Sequence, residues 1–339
     1  MSRAIGMVGA DIPFELILAA DAIPTPLGAN VDRRSDLALA DRFLENSFSL
    51  ESRIVAQQWL SEELDALEAV VFSRGDDSAQ RLYYYICELQ RLGECRGPRP
   101  LIYDIARIAR SSSLAHTVES TKSLAAVLGV REDRLPAAMQ RVAARARLLN
   151  DLWDLRASNG VPLGVIAHRF LRAARLDWSE EFERSLRTWL MSPQLVTPER
   201  RVLLVGSVPA DETLHLALEA DGSVLVGEIN DAPRFIASNP QAGVSIESIA
   251  QRIYLQARAS RTLLQAPSEI VRTARALRVD TVIVWMLATD TGLAWEAPRI
   301  EQALREAKLP VLMLTSQPDI WNEQTLAQAR QFVLGVAPR

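Results

Sequence analysis

The sequence predicts an α/β protein with two parallel-sheet lobes joined by a helical segment. Near both ends of the chain, short apolar runs alternate with segments whose apolar residues recur at helical spacing. Such strand–helix–strand alternation is typical of a parallel sheet covered by helices. Between the ends, helical spacing dominates and strand patterns are few. We therefore expect an N-terminal lobe over 1–113, a helical connecting segment over 114–198 and a C-terminal lobe over 199–339.

The N-terminal lobe begins with a strand, a turn and a helix, and this order then recurs. Pro24 and Pro26 interrupt the second apolar run. Because proline cannot donate a ladder hydrogen bond, that run is limited to a short or edge strand. The run AVVFS over 69–73 has the composition of a compact buried strand. Strands are predicted over 4–8, 22–27, 69–73 and 101–103, and helices over 14–20, 50–68 and 80–92.

The rest of the chain divides into a helical part and a second alternating part. Helical spacing over 114–192 is interrupted by loops at 129–136 and 158–164, and a linker follows over 192–198. The most strand-like run is 282–286. Strands are predicted over 202–205, 224–226, 282–286 and 311–314, and helices over 212–220, 246–264, 267–277, 299–307 and 323–333. Two such lobes are flavodoxin-like or Rossmann-like.

The composition excludes several classes of partner. A net charge of -4 and a pI near 5.6 give no overall attraction to nucleic acid or to an anionic membrane. No apolar run reaches the roughly 18 residues that span a bilayer, and the first residues lack the pattern of a signal peptide. With Cys87 and Cys95 the only cysteines, no disulfide framework is expected. These observations predict a cytoplasmic protein.

Three predicted loops carry acidic or amide side chains beyond the carboxyl ends of strands, where ligands bind in parallel α/β sheets. They are 75–77, 228–231 and 289–291, and their candidate general acid–base groups are Asp76, Glu228 and Asp290. The alternative is that each Asp or Asn caps the following helix, because a side-chain oxygen can accept from its free N–H groups. For each single loop, capping is the simpler interpretation, and both remain open.

Several familiar site patterns are absent from the sequence. It has no GxGxxG fingerprint, no GxxxxGK[ST] loop and no G-x-S-x-G nucleophile elbow. The three histidines, His116, His168 and His215, form no HExxH or other close-spaced metal pattern. Each is more simply a surface or core histidine than a ligand, so no metal site is expected.

Segments spread along nearly the whole chain carry a second kind of signal. The opening over 12–24 reads IPFELILAADAIP, in which a P-x-E-L helix leads to an A-A-D-x-x-P turn with Asp21 in place of a glycine. The other segments are SFS at 47–49 with Arg53 and AQQ at 56–58, FSRGD at 72–76 with RLYY at 81–84, VGEIN at 226–230, VWML at 284–287 and LPV at 309–311. In this order they resemble the D-component subunits of 2-hydroxyacyl-CoA dehydratases and their relatives, the benzoyl-CoA reductases.

The resemblance implies a specific system. Such subunits pair as heterodimers, bind an acyl-CoA in the cleft between lobes and hold a [4Fe–4S] cluster through cysteines from three places, and an ATP-dependent activator supplies the electron. Here the family's Cys-Asp loop reads Gly75-Asp76, Asn230 stands where a cysteine is expected, and 46–52 contains none. Cluster ligation needs thiolates or at least imidazoles. We therefore expect no cluster in this chain and an iron–sulfur cluster only in a paralogous partner subunit.

Three functions remain open from the sequence. The first is a clusterless subunit that binds an acyl-CoA and pairs with a cluster-bearing paralogue, which supplies the redox chemistry. The second is an independent non-redox acyl-CoA enzyme, a hydratase, dehydratase or hydrolase, that uses the candidate carboxylates. The third is a non-catalytic binding or regulatory protein. The candidate substrate-binding residues are Glu15, Arg53, Arg81 and Asn230. The alternative for Glu15 is that it orients the start of its helix. The alternative for Arg53 and for Arg81 is a surface ion pair with a neighbouring Glu.

Overall fold

A computed structural model describes residues 3–28, 36–106, 108–209, 211–219, 221–230, 243–265, 267–319 and 321–336, with the side chains of 256–265 excepted. These residues form parallel strands that alternate with helices. The strands are β1 (Arg3–Val8), β2 (Ala22–Pro26), β3 (Ala69–Ser73), β4 (Arg99–Tyr103), β5 (Arg200–Gly206), β6 (Ser223–Asn230), β7 (Thr281–Leu287) and β8 (Val311–Gln317).

The helices are α1 (Phe14–Ala19), α2 (Leu50–Leu60), α3 (Asp77–Leu92), α4 (Ser111–Leu128), α5 (Leu135–Leu155), α6 (Gly164–Leu176), α7 (Glu180–Met191), α8 (Thr213–Leu218), α9 (Ile246–Gln265), α10 (Pro267–Ala276), α11 (Thr291–Ala294), α12 (Ala297–Glu306) and α13 (Glu323–Gly335). None of the helices that the structure describes is long and apolar enough to cross a membrane.

The chain divides into two compact units. The first comprises Met1–Ala146 with Pro233–Ala259, and the second comprises Arg147–Ala232 with Ser260–Arg339. The chain returns to the first unit after β6 because Ile249 and Ile253 of α9 belong to that unit's apolar core. The domain boundaries predicted at 113 and 198 lie where the pattern of the sequence changes. The two units, by contrast, are defined by which residues pack together. Those boundaries stay a prediction.

The first unit contains a four-stranded sheet in the order β2-β1-β3-β4, with all neighbours parallel. Every residue of β3 is buried, because a parallel sheet is covered by helices on both faces. The proline-containing β2 lies at the edge of the sheet, as the sequence predicted. Val70 and Val71 are neighbours in β3, and each belongs to a different apolar cluster of this unit.

The second unit repeats the plan with the order β6-β5-β7-β8, again with parallel neighbours. Nearly every residue of β5, β6 and β7 is buried, and neighbouring residues such as Val282 and Ile283 belong to different apolar clusters. The two sheets with their flanking helices confirm the predicted two-lobe α/β fold. The predicted connecting segment consists of α4 to α7, joined by turns.

Two predictions about local structure are wrong. The helix predicted over 50–68 ends at Leu60 as α2, and turns follow it. The loop expected over 228–231 is not a loop in its described part, because β6 continues through Glu228 to Asn230. The register explains this extension, since Asn230 pairs with Gly206 at the end of β5 after an irregularity beside Val202. Glu228 interrupts the apolar run in the sequence, and yet it is a buried strand residue. Asp231, the last residue of the predicted loop, lies outside the described residues.

Candidate functional site

Two histidines and a glutamate meet inside the second unit. His168 lies on α6, His215 on α8 and Glu228 on β6, and their exposed fractions are 8%, 0% and 7%. His215 Nε2 lies 3.0 Å from Glu228 Oε1, and the two imidazole centroids are 4.2 Å apart. One nitrogen or oxygen from each side chain lies within 4.8 Å of those of the other two. This cluster is buried and contains the N and O donors that transition metals bind.

Glu219 fixes the helix that carries His168. Its carboxylate accepts hydrogen bonds from the backbone N–H groups of Gly164 at 2.5 Å, of Val165 at 2.9 Å and of Leu225 at 2.9 Å. The first two are free donors at the start of α6, and the third belongs to β6. A side chain at Gly164 would place its Cβ 2.6 Å from Leu225 O, so only glycine permits this approach of helix and strand. Glu219 thereby holds the helix of His168 against the strand of Glu228.

A buried arginine adjoins the cluster. Arg156 follows the last residue of α5 and is 1% exposed. Its Nη2 donates to Leu225 O at 2.9 Å and lies 3.8 Å from Glu228 Oε1. Its guanidinium also lies over the Trp153 ring, 5.1 Å from the centroid. Removing either member of such a buried pair leaves an uncompensated charge, which typically costs about 3–5 kcal/mol.

Burial and neighbouring charges shift the pKa values of this cluster. Burial, and next the charge of His215, lower the pKa of His168 to about 4, so its imidazole is neutral at pH 7. Burial alone raises the pKa of Glu228, but the His215 hydrogen bond and the charges of His215 and Arg156 outweigh it and lower the value to about 2. Glu228 is therefore an anion throughout the physiological range.

The other predicted groups of the second unit lie at strand ends. Asp290 caps α11 by accepting from the Leu293 N–H at 3.2 Å, and it also accepts from Ser207 Oγ at 3.1 Å. Ser207 directly follows β5 and accepts in turn from the Leu287 N–H at 3.0 Å. Asn230 Nδ2 donates to Glu228 Oε2 at 3.3 Å. The structure thus joins Asn230 to Glu228, and Asp290 to Ser207.

In the first unit, Asp76 is the N-cap of α3. Its carboxylate accepts from the Ala79 N–H at 2.8 Å, which satisfies one of the free donors at the helix start. Ser73, the last residue of β3, accepts from the Gly75 N–H at 3.0 Å and tightens the same turn. The capping interpretation of the 75–77 loop therefore describes the observed geometry. A catalytic role for Asp76 stays a prediction.

The remaining candidates of the first unit all have ion-pair partners. Glu15 is 1% exposed and accepts from Arg252 Nη2 at 2.5 Å. Arg53 pairs with Asp41 on the surface. Arg81 donates to Glu45 at 2.5 Å and to Ser47 at 2.9 Å, and its guanidinium lies over the Phe48 ring, 4.1 Å from the centroid. The alternative for the two arginines, a surface pair with a neighbouring Glu, describes Arg81, whereas the partner of Arg53 is an aspartate. A substrate-binding role for the three residues stays a prediction.

The sequence pattern did not reveal the histidine pair, Arg156 or Ser207. His168 and His215 lie on different helices, so their spacing along the chain carries no metal signature. Arg156 stands in a polar stretch that predicts exposure, and only the fold shows its burial. The position of Ser207 could have indicated it, because Ser207 follows the carboxyl end of a predicted strand, where ligands bind in parallel sheets.

The two cysteines are poor ligands for the cluster that the resemblance implies. Cys87 lies within α3, and at 1.5 Å of rise per residue it is about 15 Å along the helix from Asp77. Burial raises the pKa of both the Cys87 and the Cys95 thiols, which disfavours the thiolate that binds iron. At the two expected ligand positions, Gly75 has no side-chain donor and the Asn230 amide is bonded to Glu228. These donor groups do not fit a [4Fe–4S] cluster.

Comparisons with known proteins place the chain in a family. No curated protein matches it. A solved structure titled "crystal structure of SsGBP and GDP complex" is 12% identical over 98% of this chain and 99% of that one, with a TM-score of 0.26, a likeness too slight to carry an argument. The family model described as "2-hydroxyglutaryl-CoA dehydratase, D-component" matches residues 10–333. The chain therefore belongs to the 2-hydroxyglutaryl-CoA dehydratase D-component family.

Proposed function

We propose that this chain is a clusterless subunit of a complex like the 2-hydroxyacyl-CoA dehydratases and benzoyl-CoA reductases. In this proposal it binds an acyl-CoA thioester and pairs with a paralogous subunit that holds the iron–sulfur cluster and receives its electron from an ATP-dependent activator. The observation that carries the proposal is the family match over residues 10–333. A D-component is by description one component of a larger system, which supports a partner subunit.

The clusterless part of the proposal rests on donor chemistry. Iron–sulfur clusters are held by thiolates, with imidazole as an occasional substitute. The chain has two cysteines, and both are half-buried thiols of raised pKa. Neither Gly75 nor Asn230 offers a substitute ligand. When one of two paralogous subunits holds the cluster, the other can lose its cluster ligands, because the redox chemistry belongs to the partner's cofactor.

The acyl-CoA part of the proposal assigns Arg53 and Arg81 to the anionic groups of the thioester. Both arginines form surface ion pairs, with Asp41 and Glu45, and such pairs contribute only about 0–1 kcal/mol. A phosphate can therefore displace either carboxylate at small cost. Arginine also offers a planar fork that binds phosphate through two hydrogen bonds.

The alternative, an independent non-redox enzyme, has weaker support. Two of its carboxylates, Asp76 and Asp290, cap helices. The third, Glu228, has a pKa of about 2, and a general acid or base works best when its pKa lies near the operating pH. Purified protein assayed aerobically against a panel of CoA thioesters separates the two functions. Turnover without iron or reductant would favour the independent enzyme.

The remaining parts of the proposal concern location and other partners. We place the protein in the cytoplasm, where an ATP-dependent activator and acyl-CoA substrates are available. The net charge of -4 supports the absence of nucleic acid and membrane surfaces among its partners. A non-catalytic regulatory role is the least specific alternative, and no observation favours it over the subunit role.

Copurification from the native host tests the pairing. A tagged chain isolated under anaerobic conditions is expected to bring down a cysteine-bearing paralogue in equal amount, identified by mass spectrometry. A matched control carries a tag on an unrelated cytoplasmic protein. Recovery of the chain only as a monomer or as a homo-oligomer would contradict the proposal.

A further inference from the structure

The cluster of His168, His215 and Glu228 has the composition and spacing of a metal site. Two imidazoles and one carboxylate are a common donor set for Zn²⁺ and related transition metals. Their donor atoms lie within 4.8 Å of one another. With metal–ligand bonds of about 2.0–2.1 Å, tetrahedral ligand atoms stand roughly 3.3 Å apart. The 3.0 Å between His215 Nε2 and Glu228 Oε1 is close to that value.

Unpaired nitrogen atoms provide a second, independent indication. His168 Nε2 and His215 Nδ1 are buried, and neither has a hydrogen-bond partner among the described residues. A buried polar atom without a partner typically costs about 1–3 kcal/mol, and native proteins usually satisfy such atoms. A cation bound by the imidazoles would supply the missing interaction for at least one of these nitrogens. We propose that His168, His215 and Glu228 form a binding site for one divalent transition-metal ion of the Zn²⁺ class.

The elements that carry the three ligands suit a structural cation. The ligands come from α6, α8 and β6, so a bound ion would join two helices to the sheet of the second unit. Glu219 already holds the start of α6 against β6, which brings the ligands close together before an ion binds. The site is buried, and such an ion would stabilise the unit by binding the folded state alone. The site is independent of the acyl-CoA and cluster proposals.

Arg156 sets a limit on affinity. Its guanidinium, 3.8 Å from Glu228, already neutralises part of the carboxylate charge and repels a cation. Arg172 adds a second positive charge that acts on His168. The carboxylates of Glu212 and Glu219 act on His168 and Arg156 and offset part of the repulsion. The site is therefore expected to bind more weakly than one without an arginine. Removing the Arg156 charge should strengthen metal binding at this site.

Titration of the full, chelator-treated chain with Zn²⁺ and Co²⁺ tests the site. Calorimetry is expected to show one saturable Zn²⁺ equivalent, together with a rise of several degrees in Tm. Co²⁺ should give visible ligand-field bands of a site built from nitrogen and oxygen. Absence of saturable binding by the wild-type chain would overturn the proposal. Sulfur-to-cobalt charge-transfer bands in the near ultraviolet would do the same, because they would assign the metal to the cysteines.

Variants locate the bound ion. His168→Gln and Glu228→Gln are each expected to weaken binding at least tenfold, whereas Arg156→Gln should strengthen it several-fold. The control is His116→Gln, since His116 is the one remaining histidine and lies exposed in the first unit. Circular dichroism without metal shows which variants fold. Unchanged affinity in a folded His168→Gln or Glu228→Gln chain would overturn the proposal, as would an equal loss in His116→Gln.

Discussion

Arg252 Nη2 donates a hydrogen bond to Glu15 Oε1 at 2.5 Å, across 237 positions of the chain. The pair lies inside the first unit, with exposed side-chain fractions of 10% for Arg252 and 1% for Glu15. It ties α9 to α1, the helix that opens the family-like P-x-E-L segment. The contact is compatible with an orienting function for Glu15, and its substrate-binding role stays a prediction.

Glu15→Ala is expected to destabilise the protein by about 3 kcal/mol, because it leaves the Arg252 charge buried without this partner. Chemical denaturation monitored by circular dichroism measures the loss. The matched control is Asp41→Ala, which removes the exposed partner of Arg53 and should cost less than about 1 kcal/mol. Equal losses for the two variants would contradict the structural importance of the Glu15 pair.

Asp76→Ala is expected to cost about 1 kcal/mol, because the N–H of Ala79 loses its acceptor at the start of α3. Asp76→Asn should be nearly neutral, since asparagine is an equally good N-cap. The free energies of unfolding of the two variants check this directly. A loss in Asp76→Asn as large as that in Asp76→Ala would show that the negative charge matters beyond capping.

Gly206→Ala is expected to prevent normal folding of the second unit. Gly206 has a φ of +127°, and a Cβ there would lie 1.9 Å from the carbonyl oxygen of Trp285 on β7. Gly93→Ala is the matched control, because its φ of +76° is also positive but nothing lies within 4 Å of the added Cβ. Gly93→Ala should lower the free energy of unfolding by about 1–2 kcal/mol. Soluble yield and thermal melting distinguish them, and similar behaviour of both variants would contradict the close approach at Gly206.

Stability of the metal-free chain is expected to fall between pH 6.5 and pH 4. The pKa of His168 is about 4 in the folded chain and near 6.5 when unfolded. Between these pH values the unfolded state binds more protons than the folded state. The stability that the neutral His168 contributes is therefore complete above pH 6.5 and falls by about 3 kcal/mol as the pH drops toward 4. The carboxylate of Glu228 contributes mainly below this pH range, since its own stabilisation is lost as pH falls from 4.5 toward 2.

Denaturation at several pH values in the presence of a chelator measures how the free energy of unfolding changes with pH. The other charged groups acting on His168 are His215, Arg172, Glu212 and Glu228. His168→Gln should flatten the dependence between pH 6.5 and pH 4, whereas the exposed-histidine variant His116→Gln should keep it. An unchanged slope in His168→Gln would show that another group titrates on unfolding.

Much of the fold follows from local patterns. The run over 69–73 and the run over 281–287 are apolar because parallel strands are buried on both faces, so their sequence shows them as strands. The prolines of β2 likewise revealed an edge position. The end of β6 could not be predicted in this way, because Glu228 is charged and its burial depends on His215 and Arg156 from distant segments.

The candidate site was predictable only in part. Capping side chains such as Asp76 and Asp290 have local signatures, and the sequence indicated both of them. The meeting of His168 with His215 depends on how α6 and α8 pack on one sheet, and no local spacing encodes that packing. The return of Arg252 to Glu15 is equally nonlocal.

Iron and acid-labile sulfide, measured in the chain after anaerobic purification and separation from any partner, decide whether this subunit is clusterless. A clusterless chain should contain substoichiometric iron and no sulfide, and the copurifying cysteine-bearing subunit should contain both. One cluster's equivalent of iron and sulfide in this chain alone would contradict the account, because Cys87, Cys95 and the residues at the expected ligand positions would then have to hold it.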